Sequence, residues 1–230
     1  MDFFEAVKNR RSVRKFTDQN VSKEIMQKSF EAAMLAPNSS NTQTWNFLWV
    51  TSNKKQNLLH ACLSQSAART AKELVVVTAD PALWRRSQSL LIDYVKAVKA
   101  PKQVVMYYEK LIPITYRWGF LNILAPLKWL IANSVGLFRP MPRGPNSRRD
   151  LQEVAIKSAA LASENFVLAL SAQGVSSCMM EGFDECRVKK IFNLKSSERV
   201  VMVIGVGYAA ENGIWGPQFR IPQNLTVREV

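Results

Sequence analysis

Residues 148–174, RRDLQEVAIKSAALASENFVLALSAQG, repeat apolar side chains at helical spacing through Leu151, Val154, Ile156, Leu161, Phe166 and Leu170, and end on Gly174, a residue type that stops helices. A helix of that length has to bury a long face. Its many Ala and Ser residues let a partner element approach closely, so it is expected to be the central helix of the fold.

Around it the pattern alternates. Short β-rich runs fall at 46–51 (NFLWVT), 73–79 (ELVVVTA), 175–180 (VSSCMM) and 199–208 (RVVMVIGVGY). Helical runs lie between them. One follows the Asp2/Glu5 cap, with Phe3, Phe4 and Val7 on one face; others cover 22–36, 54–68, 80 to about 99, and 184–192. The tail, 215–230, has two prolines and no helical period, and reads as an extended arm. Alternation alone predicts an α/β domain with its sheet covered on both faces. At 230 residues the chain suits one domain.

The charge is unusual: 31 Lys+Arg against 18 Asp+Glu give +13, which favours anionic partners such as phosphorylated ligands, nucleic acid or anionic membrane. A hydrophobic share of 47% excludes global disorder. Three cysteines (Cys62, Cys178, Cys186) without a CxxC pair fit a reducing compartment. The single histidine, His60, reads as an ordinary helix-face residue, which leaves metal sites and Ser-His-Asp triads without a basis. The N-terminus lacks the pattern of a secretory signal, so the expected compartment is the cytoplasm.

Three stretches carry chemistry. In NRRSVRKF (9–16), Arg10, Ser12 and Arg14 alternate and would project to one side of an extended chain. That suits a phosphate, although a solvated basic loop has the same composition. APNSSNTQTWNF (36–47) is dense in amides and hydroxyls. Such a loop either caps helices or recognises a planar ring with alternating carbonyls and ring nitrogens. CMMEGFD (178–184) ends a strand on Gly182, which permits a close approach of backbone to ligand.

Together with the closing GVGY and QFRIP, these stretches occur in the order and approximate spacing of the FMN-dependent nitroreductase family, which the chain resembles over nearly all its length except about 101–147. The resemblance implies a single α+β domain with a mixed, mostly antiparallel sheet flanked by helices, and an extended C-terminal arm. It implies a homodimer with FMN at the subunit interface. The activity would be ping-pong transfer of electrons from NAD(P)H to a nitroaromatic, quinone or related small acceptor. Carried over by residue, Arg10 would hold the FMN phosphate, Arg11 would contact the flavin, Ser12 belongs to the same motif, and Arg14 would lie near the pyrimidine edge. Asn38, Ser39, Asn41 and Gln43 belong to the polar loop that the second subunit contributes. The backbone of Glu181 and Gly182 would face flavin N5 and O4, and Arg220 would bind phosphate with Gln218 beside it. The chain departs from the family where Asn38 replaces the usual Ser, Thr44 the usual Pro, and Gln218 a frequent Lys. The chemistry is the cofactor's, so no side-chain acid, nucleophile or metal is required.

Between 99 and 149 lie nine basic residues and one acid, Glu109, a net charge of +8, together with Tyr107, Tyr108, Tyr116, Trp118, Phe120, Trp129 and Phe138. This insertion has three readings: a cover over the flavin, an interfacial element on anionic lipid, or a nucleic-acid surface, the last without any recognised module. A rival to the flavoenzyme is therefore a basic membrane-surface or nucleic-acid-binding protein with a degenerate flavin site. Within the family, a reductive dehalogenase would use Glu109, Tyr116 and Lys128 on its substrate.

Overall fold

The computed structural model describes residues 1–51, 53–119 and 123–230. Four strands, β1 (Trp45–Trp49), β2 (Glu73–Ala79), β3 (Ser176–Met180) and β4 (Arg199–Gly207), form one sheet in the order β1-β2-β4-β3. Each pairing in it is antiparallel, so the fold is α+β and the α/β arrangement read from alternation alone is corrected. Among the described residues, parallel pairing is confined to a bridge between Ser12 and Ser177. One local cause is visible between β1 and β2. The helix expected over 54–68 breaks at Leu63 (φ 55°) and Ser64 (φ 51°), leaving α3 (Lys54–Ala61) and α4 (Ser66–Thr70), and the chain re-enters the sheet reversed.

Both faces of the sheet are covered. On one, Val75, Val77, Ile204 and Val206 pack with α2 (Lys23–Met34) and α9 (Arg148–Ala172). On the other, Leu74, Val76, Cys178 and Val203 pack with α3, α4 and α10 (Glu185–Phe192). α9 starts on a capping box, in which Ser147 Oγ accepts from Asp150 N and the Asp150 carboxylate accepts from Ser147 N. The backbone N–H of Asn146 adds to this, and these bonds hold the Asp150 carboxyl below the usual carboxylate range. By length and composition α9 is apolar enough to cross a membrane, yet half of its most apolar window is buried in the fold, as for a core helix.

The N-terminal helix α1 (Phe3–Asn9) forms behind the Asp2/Glu5 capping box, but its Phe3 and Phe4 stay exposed. After α5 (Trp84–Ala97), residues 101–147 supply α6 (Lys102–Met106), a π-helical turn at Tyr107–Leu111, α7 (Ile112–Tyr116) and α8 (Leu124–Val135). Ile112 and Tyr116 anchor the first half of this stretch by packing on Trp84 and Leu151. Phe120 lies outside the described residues.

Phe166 of α9 is fully buried and stacks on Phe30 at 4.9 Å, with Phe47 at 5.8 Å. Phe166→Ala would empty the contact between α9, α2 and β1, so it is predicted to cost about 3–5 kcal/mol in denaturant unfolding. A loss below about 1 kcal/mol would show that this cluster does not anchor the fold.

Candidate functional site

Residues 10–16 leave α1 in an extended course and dock on the outer side of β3. Val13 N donates to Ser177 O at 3.0 Å, Arg14 N to Gly213 O at 2.6 Å, and Thr17 N to Tyr208 O at 2.8 Å. Two glycines allow this approach. A Cβ on Gly207 would stand 2.9–3.0 Å from the Phe16 side chain, and one on Gly213 would stand 2.3 Å from Lys15 O. Either would force the segment off the sheet.

So docked, the segment turns its cations toward the C-terminal arm. Arg10, Arg11, Ser12 and Arg14 line a cavity of about 260 Å³ with Trp215, Gln218 and Arg220. Four guanidiniums face it, and no carboxylate lines it. Arg11 Nη2 donates to Gly216 O at 2.7 Å, tying the arm to the segment, and Arg220 Nη1 donates to Phe219 O at 2.8 Å. Arg10 is steered by Glu164 of α9 at 3.7 Å. Arg14 lies 5.2 Å from the Trp215 ring centroid and donates to Cys178 Sγ at 3.4 Å. Burial pushes the Cys178 thiol up, against the pull of Arg14, so the sulfur stays neutral and leaves the Arg14 charge uncompensated. Glu164 reaches Arg10 from outside the lining, and within the cavity no carboxylate offsets the arginines, an arrangement that suits an anion.

Glu181 and Gly182 sit at the far end of β3. Glu181 lies four positions beyond Ser177, roughly 13 Å along a strand. The Gly182 carbonyl accepts from Gln65 Nε2 at 2.5 Å, which fixes this peptide.

The polar loop lies elsewhere. Ser40 (φ 55°), Asn41 (φ 52°) and Gln43 (φ 45°) occupy left-handed backbone conformations, which cost non-glycine residues on the order of 1–3 kcal/mol each. The surroundings hold them there. Ser87 Oγ donates to Thr42 O at 2.6 Å, and Arg86 donates to Gln43 O, Trp45 O and Asn46 Oδ1 at 2.8–3.1 Å. Asn46 Nδ2 in turn donates to the buried Glu198 at 3.2 Å. From the insertion, the Tyr107 hydroxyl meets Ser40 Oγ at 2.6 Å and the Tyr116 hydroxyl meets Thr42 Oγ1 at 3.2 Å. Asn38 is engaged within the loop, donating to Ala36 O and accepting from Gln43 N. The Gln43 amide donates to Asn41 Oδ1, and Ser39 lines a separate shallow cavity beside α9.

Strand pairing sets the distance between the two groups. Trp45 pairs with Ala79 and Ala79 with Arg199, at the start of β4; Ser12 pairs with Ser177 and Ser177 with Val206, near its end. At about 3.3 Å per residue and about 4.8 Å per strand, the loop and the arginine cavity stand roughly 25–30 Å apart, at diagonal corners of the sheet. Within one chain, then, Arg10, Arg11, Ser12, Arg14, Gln218 and Arg220 come together, Glu181 and Gly182 adjoin them along β3, and Asn38, Ser39, Asn41 and Gln43 do not join them. The Arg86/Ser87 clamp and the two tyrosines carry no local sequence signal, because they reach the loop from more than 40 residues away.

Comparison with known proteins gives the class to which this α+β fold belongs. A model of the nitroreductase family matches residues 7–208. The chain belongs to the nitroreductase family and is an oxidoreductase of that type. It is similar to protein DrgA of Synechocystis sp., 28% identical over 214 residues that cover 92% of this chain and 86% of that one. It is also similar to the oxygen-insensitive NADPH nitroreductase of Helicobacter pylori strain J99, 24% identical over 180 residues, 77% of this chain and 72% of that one. In fold it matches a protein of Exiguobacterium sibiricum solved in complex with FMN, with a TM-score of 0.74 and 24% identity across 100% of this chain and 98% of that one.

The clamp on the loop is directly measurable. Ser87→Ala is predicted to lower unfolding stability by about 1–2 kcal/mol and Arg86→Ala, whose side chain is more exposed, by about 1 kcal/mol; Arg86→Lys would restore little because an ammonium cannot reproduce the fork. Urea unfolding of the three variants checks this. Wild-type stability in all three would mean that the loop holds its conformation unaided.

Proposed function

We propose that this protein is a homodimeric FMN enzyme that passes electrons from NAD(P)H to a nitroaromatic, quinone or related small acceptor. The observation that carries the reading is the acid-free cavity with its four guanidiniums, joined by β3 to the Glu181–Gly182 backbone. Its donor set fits a phosphate at one end, and the length of β3 fits an elongated planar ligand reaching toward the other. The FMN in the Exiguobacterium sibiricum relative and the NADPH activity named for the Helicobacter pylori relative support the same assignment.

In this reading Arg10 and Arg220 grip the phosphate, with Ser12 and Gln218 as neutral donors beside them, while Arg11 ties the arm down through Gly216 O. Arg14 approaches the pyrimidine edge, where its uncompensated charge stabilises negative charge at N1 and O2. The N–H groups of Glu181 and Gly182 face N5 and O4. FMN, when bound, supplies the hydride and electron transfer in ping-pong order. The loop with Asn38, Ser39, Asn41 and Gln43 comes from the second subunit, which its diagonal placement supports. Two surfaces are available for that pairing: the arm, with Phe219 and Ile221 exposed, and an apolar trough of about 580 Å³ beside β1, lined by Phe30, Trp45, Phe47 and Trp49. We read residues 1–230 as one domain with 101–147 inserted in it, and the cytoplasm as its compartment, in keeping with three free thiols.

The dehalogenase alternative has little to support it. Glu109 is paired with Lys96 at 2.7 Å, Tyr116 is buried against Thr42, and Lys128 donates to the carbonyls of Thr115 and Arg117. These three side chains are committed separately.

The purified protein is predicted to be yellow, with near-stoichiometric FMN that NADH or NADPH bleaches. Combining Arg10→Ala with Arg220→Ala removes two charge-assisted contacts and should weaken FMN binding at least about 100-fold by fluorescence titration. A colourless protein that takes up no added FMN, or unchanged affinity in the double variant, contradicts the assignment.

A further inference from the structure

We propose that α8 and the loop after it form a docking surface for an anionic lipid bilayer, lying in the plane of the interface. The helix LAPLKWLIANSV is apolar on nearly every side, yet among its described residues it buries only Ala132. Ile123, Leu127, Leu130 and Ile131 recur at i, i+4, i+7 and i+8 and therefore share a face; each is exposed by 48–70%. Leu137 (78%) and Phe138 (89%) extend the patch past the helix end, and Trp129 flanks it at 58%. A contiguous aliphatic face of this kind is a surface waiting for an apolar partner.

Charge selects that partner. The segment 99–149 carries +8, and its single acid, Glu109, is paired with Lys96. Lys128 and Arg143 are turned inward onto backbone carbonyls, Arg143 closing the C-terminal end of α8 at Asn133 and Gly136. Arg117, whose carbonyl accepts from Lys128, and Arg139, next to Phe138, remain exposed beside the patch. Apolar residues with a cationic fringe are what an anionic bilayer surface binds. A helix of 12 residues is about 18 Å long, too short to span a hydrocarbon core of about 30 Å, so it lies along the interface. An isologous contact with a second copy would set two +8 segments against each other. Nucleic acid would meet the cations but leave Ile123, Leu127, Leu130 and Ile131 in water, because such ligands stack on aromatic rings rather than aliphatic faces.

The inference stands apart from the flavin reading, since none of these residues lines the arginine cavity. The test is co-sedimentation of the intact protein with vesicles of phosphatidylglycerol and phosphatidylcholine, against phosphatidylcholine alone. At low ionic strength the anionic vesicles should bind at least about tenfold more protein, and salt at about 0.5 M should release most of it. Leu130→Glu with Phe138→Glu should lose at least about tenfold in vesicle binding. FMN content and oligomeric state, by absorbance and sedimentation velocity, should not change. Arg117→Glu with Arg139→Glu should weaken binding through charge alone. The proposal is overturned by absence of binding at low salt, by equal binding of the Leu130/Phe138 variant, or by a change in that variant's oligomeric state, which would make the face a subunit contact. A wild-type protein that binds the anionic vesicles but takes up no FMN would strike the flavin reading and leave this one standing.

Discussion

Residues 10–16 have no helix to satisfy their backbone, and everything at the candidate site depends on where they find their partners. They pair with Ser177 of β3, Tyr208 after β4 and Gly213 in the turn beyond. That docking leaves Arg10, Arg11, Ser12 and Arg14 beside the arm while Val13 and Phe16 enter the core. The absence of side chains at Gly207 and Gly213 is what lets the segment settle this close. Without it the arginines would be a mobile basic loop. With it, they become a preorganised anion cavity whose repulsion an anionic ligand relieves.

Opposite this corner stands a second constraint, the strained loop of Ser40, Asn41 and Gln43. Its conformation is imposed from outside by Arg86, Ser87, Tyr107 and Tyr116, so strain in the loop is opposed by hydrogen bonds from α5 and the insertion. The first half of the insertion is thus a support for this loop, while α8 leaves the body and keeps an apolar face outward. One inserted segment serves two ends. The roughly 25–30 Å across the sheet keeps the loop and the arginines from meeting within one chain, and in the proposed two-fold pair each arginine corner would receive a loop from its neighbour.

Much of this was legible in the sequence where the signal is local. The Asp2/Glu5 cap, the helical run over 22–36, the long repeat of α9 and its stop near Gly174 each depend on residues within a turn or two, and each element formed as expected. What depends on distant residues was not. Alternation could not give strand direction, and the break at Leu63 and Ser64 rests on positive φ in residues that carry no such signature. The arginine motif was readable because alternation is local, whereas the order in which Trp215, Gln218 and Arg220 close over it is tertiary. Nothing near Arg86 in sequence names the carbonyls it holds. In α8 the i, i+4, i+7 spacing marks an apolar face equally well for a core or for an interface, and only burial separates the two.

The central claim is that each FMN site takes its phosphate cluster from one chain and its polar loop from the other. It is tested by mixing two defective chains, one with Arg10→Ala and Arg220→Ala, the other with Asn41→Ala and Gln43→Ala, refolding them together and isolating the heterodimer. The account predicts that the heterodimer binds one FMN per dimer with wild-type affinity, because one of its two sites then holds both intact halves. Two weakened sites, with none of wild-type affinity, would contradict it, since that result requires cluster and loop to act within the same chain.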